Sequence, residues 1–107
     1  MLEIYCAMIK VEDLNKIDFE KEGQILKAIS NPLRLRMVSL LMNDECCVTD
    51  ITNALGISQS TSSQHLAILK SSGVVYPKRY GTKTCYIVEN PEVKKIILIL
   101  LEKYKND

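Results

Sequence analysis

The stretch VTDITNALGISQSTSSQHLAILKSSGVV, residues 48–75, holds two apolar periodicities with a break between them. Val48, Ile51 and Leu55 recur at helical spacing and predict a helix over 48–55, stopped by Gly56. After the turn Gly56-Ile57-Ser58, the spacing predicts a second helix from Gln59 to Ser72, ended by Gly73. In it residues 62, 66 and 69 face inward, while Ser60, Ser63, Gln64 and Ala67 share the opposite face. Two short helices joined by a tight glycine-containing turn form a helix-turn-helix, whose second helix enters the major groove of DNA. The outward side chains are short and neutral; Gln can pair bidentately with adenine and Ala can touch a thymine methyl, so they suit base edges.

Working outward, Val74-Val75-Tyr76 and Thr84-Cys85-Tyr86-Ile87-Val88 are β-branched and aromatic and flank a turn at Gly81, which predicts a β-hairpin. Upstream, Phe19, Ile25, Leu26, Ala28 and Ile29 predict a helix ending near Ser30. Asn31-Pro32 then starts another, since an Asn side chain can cap free N–H groups and proline is tolerated at the first helical position. Its stripe is Leu33, Met37, Leu40 and Leu41. Downstream, Asn90-Pro91 restarts helix, and Val93, Ile96, Ile97, Leu100, Leu101 and Tyr104 make an apolar face wide enough to need more than one neighbour. The fold class is therefore mainly α with a small β-hairpin: a winged helix-turn-helix in the order ααααββα. Residues 1–17 form an N-terminal arm, partly helical, and 18–107 the DNA-binding and dimerisation domain. The surplus of the last helix predicts a homodimer formed through it.

The 107 residues fit one compact unit, and a formal net charge of +1 conceals an uneven distribution. Residues 1–50 hold nine acidic and six basic side chains, and 89–107 hold four of each. Between Asp50 and Glu89 there is no carboxylate, while Lys70, Lys78, Arg79, Lys83 and His65 all fall there. Such a window suits a surface that approaches phosphates, and Lys70, Arg79 and Lys83 are the phosphate candidates. The segment MLEIYCAMIKVED lacks a basic start and a long apolar core, so it does not read as a secretion signal. The longest apolar run, Ile96 to Leu101, is too short to span a bilayer. A cytoplasmic location is expected, and there the four cysteines, Cys6, Cys46, Cys47 and Cys85, are expected as thiols.

Taken together, LKAISNPLRLRMVSLL (26–41), residues 48–75 and the wing pattern Arg79-x-Gly81 followed by Tyr86 resemble the ArsR/SmtB family of winged-helix repressors. The resemblance runs from about Leu26 to Tyr104 and implies binding of double-stranded operator DNA. It assigns DNA contact to Gln59, Ser60, Ser63, Gln64 and His65, together with the three phosphate candidates. One departure is Ser62, where the family has an apolar residue; a recognition helix held less firmly is expected there. For His65, a satisfied surface histidine stands beside direct contact as a reading.

Family members release DNA when a metal, metalloid or thiol-reactive signal arrives. Glu45-Cys46-Cys47-Val48-Thr49-Asp50 is similar to the family's Glu-Leu-Cys-Val-Cys-Asp box, with Cys47 on the first thiol, Thr49 in place of the second, and Cys46 a residue too early. Cys47 falls at a helix N-terminus, where the helix dipole favours thiolate. Cys46 and Cys47, with Cys6 from the arm as third sulfur, are the candidate ligands of a soft ion, arsenite first and cadmium second, with burial as packing residues the other reading of all three. Cys85 reads as a packing residue. The family's Asp/His zinc site in the last helix has no counterpart in 91–104, nor has its cysteine pair between the second and last helices. A thiol-redox signal, or no small-molecule inducer, stays open. One histidine and no phosphate-binding glycine loop argue against an enzyme. A winged-helix module that binds protein instead of DNA remains the rival of another class.

Overall fold

The computed structural model describes residues 9–105. In chain order they form α1 (Val11–Leu14), α2 (Phe19–Ile29), α3 (Pro32–Leu40), β1 (Cys46–Cys47), α4 (Val48–Leu55), α5 (Gln59–Ser71), β2 (Val75–Tyr80), β3 (Lys83–Val88) and α6 (Pro91–Lys105). Helix starts follow the caps in the sequence. Asp18 accepts a hydrogen bond from the Lys21 N–H at 3.1 Å, and Asn31 Oδ1 accepts from the N–H groups of Leu33 and Arg34 at 2.9 and 3.1 Å. Pro32 takes the first position of α3. Helix α4 ends on Gly56, whose φ of 64° is left-handed and sets the turn into α5.

Gly81, also at φ 64°, turns the β2–β3 hairpin, which runs from the pair Val75/Val88 to the pair Tyr80/Lys83. The hairpin is thus longer on its first strand than the Val74–Tyr76 expected. The sheet also has a third, antiparallel strand, in the order β1-β3-β2, with Cys46 opposite Tyr86 and Cys47 opposite Cys85. A two-residue strand offers no alternation to read, so β1 emerges only through its pairing with β3.

The core joins these parts. Ile25, Ala28 and Ile29 of α2, Met37 and Val38 of α3, Ile51 of α4, Leu66 and Leu69 of α5, the sheet's Val75 and Val88, and Val93 and Ile97 of α6 form one buried cluster. Burying side chains of this size contributes about 1.5–3 kcal/mol each. Helix α6 commits only its inner edge to that core. Leu98, Ile99, Leu101 and Tyr104 are 53–67% exposed, and an apolar groove of about 560 Å³ runs between α6 and α3, lined by Leu35, Met42, Ile97, Leu101 and Tyr104.

Candidate nucleic-acid interface

Helix α5 is fixed on its inner face and open on its outer one. Ser62, Leu66 and Leu69 are buried, as the spacing required, while Gln59, Ser60, Ser63, Gln64, Ala67 and Lys70 are exposed. The Ser58 hydroxyl caps the helix by accepting from the Thr61 N–H at 3.0 Å. Ser62 does not loosen the helix as expected. Its hydroxyl lies 2.8 Å from the Thr52 hydroxyl on α4, and Thr52 donates to the Val48 carbonyl at 2.7 Å. The departure from an apolar residue is therefore met by a hydrogen bond between the two helices, and Thr52 is a residue that helical periodicity could not single out.

His65 is half-buried and turned toward α3. Arg34 donates from Nε to the Ala28 carbonyl, and its Nη1 lies 3.1 Å from His65 Nδ1. A guanidinium has donors only, so Nδ1 accepts and the imidazole carries its proton on Nε2. The satisfied-histidine reading thus holds for one ring nitrogen, and Nε2 is left as a donor.

Lys78, Arg79 and Lys83 are exposed near the end of the hairpin, with Arg79 opposite Thr84 and Lys83 opposite Tyr80. The Tyr80 hydroxyl donates to Glu45 Oε1 at 2.6 Å and ties the wing to the segment before β1. That bond, more than the small burial or the nearby carboxylates, raises the Tyr80 phenol above its ordinary pKa.

The cysteines are arranged differently from the sequence expectation. Cys47 is the N-cap of α4, as foreseen, and is joined in a disulfide to Cys85 of β3, which is itself buried. Successive strand residues point to opposite faces. Cys46 accordingly shares a face with its cross-strand partner Tyr86 and packs against the core, away from Cys47. By strand alternation Cys46 and Cys47 project from opposite faces of β1. Burial first, then the charges of Asp50 and Asp44, push the Cys46 thiol above its ordinary pKa, which disfavours thiolate. Cys6 lies outside the described residues. Among the described residues no three side chains of His, Cys, Asp or Glu gather as a metal site, and no helix is long and apolar enough to cross a membrane.

Comparison with known proteins gives a consistent picture. The family model described as bacterial regulatory protein, arsR family, matches residues 31–76. An HTH-type transcriptional regulator of Methanocaldococcus jannaschii is 39% identical over 85 residues, spanning 78% of this chain and 96% of the relative. The structure of reduced HlyU from Vibrio cholerae superposes with a TM-score of 0.79 at 32% identity, over 89% of this chain and 99% of the other. The homodimeric winged helix-turn-helix DNA-binding domain Mb0332 from Mycobacterium bovis, described as a possible ArsR-family transcriptional regulator, superposes at 0.72 with 27% identity, over 89% and 86% of the two chains.

Proposed function

Since the chain belongs to the arsR family of DNA-binding transcriptional regulators, we propose that it is a repressor that binds double-stranded operator DNA as a homodimer and releases it when a thiophilic ion is bound. The observation that carries the reading is the outer face of α5, where Ser60, Ser63, Gln64 and Ala67 stand exposed on a helix whose inner face is buried. A rigid helix with short polar side chains can enter the major groove without a clash and present hydrogen-bonding groups to base edges. Gln59 and His65 flank that face, the latter through Nε2. Lys70, Arg79 and Lys83 supply positive charge to the phosphates on either side.

The homodimer is supported by the exposed side of α6 and by the homodimeric state of the Mycobacterium bovis relative. A twofold protein reads a twofold operator with half-sites about one helical turn apart. The ion, arsenite or cadmium, is proposed from thiol chemistry alone. The Cys47–Cys85 disulfide specifically favours a second reading, a thiol-redox signal at the same place.

The test uses duplexes enriched by the protein from a random pool. Gln64→Ala should relax specificity at one operator position, costing roughly 1–3 kcal/mol there, whereas Arg79→Ala should weaken all sequences alike. If both substitutions lowered selected and random DNA by one common factor, the division into base-facing and phosphate-facing residues would be wrong.

A further inference from the structure

The last carbonyls of a helix lack intrahelical donors, and Pro32, four positions after Ala28 of α2, has no N–H to give. Arg34 supplies the donor. Its Nε bonds to the Ala28 carbonyl, while its own backbone N–H is held at 3.1 Å by Asn31 Oδ1. A guanidinium is planar, with its donors in fixed directions. Anchored at Nε, it aims Nη1 at His65 Nδ1, 3.1 Å away on α5, and both side chains are half-buried. Nδ1 faces a donor and accepts, so the ring proton sits on Nε2. Among the described residues Nε2 has no protein partner and no buried polar side-chain atom is left unsatisfied, so Nε2 meets solvent.

We infer that Arg34 is a positioning residue for base recognition: it holds His65 as a hydrogen-bond donor, so that α5 requires, where that residue meets the major groove, a base edge that accepts. The inference rests on the proposed operator binding and adds to it what one of the contacts can read. Guanine offers two acceptors in the major groove, N7 and O6, whereas the cytosine edge there offers only a donor. A neutral histidine free to exchange its ring proton could present Nε2 as donor or as acceptor and would take either base. Fixing the proton removes that choice. A guanidinium has no acceptor and does not give up its proton, so it cannot exchange roles with the ring. Arg34 thus acts through His65 and not by touching a base, and the end of α2 takes part in setting what α5 reads.

The experiment uses the full chain without an affinity tag, so that its one histidine gives one set of ring signals. Long-range proton–nitrogen NMR spectra of the parent, recorded without DNA at mildly alkaline pH, should show the Nε2-protonated tautomer alone. Arg34→Met, which keeps an unbranched stem and removes the donors, should show both tautomers. Duplexes selected by the parent from a random pool are then varied one position at a time and their relative affinities measured. His65→Asn keeps an acceptor near the place of Nδ1 and loses Nε2; it should lower the preference at one operator position by roughly five-fold or more. Arg34→Met should lower the preference at that same position, and adding it to His65→Asn should lower it no further. A ratio of affinities cancels any loss of folded protein, so a variant of reduced stability still reports. A parent histidine protonated at Nδ1, an Arg34→Met preference equal to the parent's, or a further loss in the double variant would overturn the role of Arg34. So would a His65→Asn protein that binds every duplex more weakly by one factor, which marks a phosphate contact. A parent that selects no duplex would overturn the operator proposal, and the tautomer spectra would still judge how Arg34 holds the ring.

Discussion

The buried polar side chain among the described residues is Ser62, and its partner Thr52 comes from the preceding helix. Thr52→Val should cost roughly 1–3 kcal/mol by leaving a buried hydroxyl without its partner, and the double change Thr52→Val/Ser62→Ala should cost less than the single one. Urea midpoints decide it: a double variant less stable than Thr52→Val would mean that packing, not the hydrogen bond, holds α5 to α4. Neither this pair nor Arg34 against His65 was legible in the sequence, because contacts across 10 and 31 positions leave no local pattern. Cys46 carries a pH prediction with a definite sign. Its folded pKa is raised, so the folded state keeps its proton longer than the unfolded chain. The contribution is fully present below the ordinary thiol value of about 8.5 and is lost as pH rises through the raised value. Stability measured from neutral to alkaline pH should therefore fall less steeply in Cys46→Ala than in the parent.

At the level of elements, local chemistry decided most of what the sequence disclosed. Asn31-Pro32, Gly56 and Gly73 each act on the backbone within a few residues, and α2 and α4 lie where their periodicity put them. Asn31→Ala should lose about 1 kcal/mol as two N–H groups of α3 lose their acceptor. Gly56→Ala should lose about 1–2 kcal/mol, since a Cβ is strained at positive φ although open space surrounds it. Thermal or urea unfolding measures both, and an unchanged midpoint in either would remove that residue from the account of the helix ends. The strand β1 escaped because it consists of two residues and exists only by pairing with β3. With it went the placement of the cysteines: a helix-start reading of residues 45–50 puts Cys46 and Cys47 side by side, whereas strand geometry puts them back to back.

For the molecule as a whole, the outer side of α6 and the groove against α3 form an exposed apolar face that a second copy could cover. Leu101→Glu, at a position 53% exposed and bordering that groove, should convert the proposed dimer to a 12.1 kDa monomer in sedimentation without unfolding it. A parent that already sediments as a monomer would dismiss α6 as the interface. The measurement that bears most directly on the central claim is the affinity of the parent protein for its selected duplex as a function of salt. Phosphate contacts release counterions, so the logarithm of the binding constant should fall linearly with the logarithm of salt concentration, by about 0.9 per phosphate neutralised. Arg79→Ala, removing the proposed contact from each protomer of the proposed dimer, should make the slope shallower by roughly 2. An affinity for duplex DNA that does not change with salt, or an Arg79→Ala slope equal to the parent's, would contradict it.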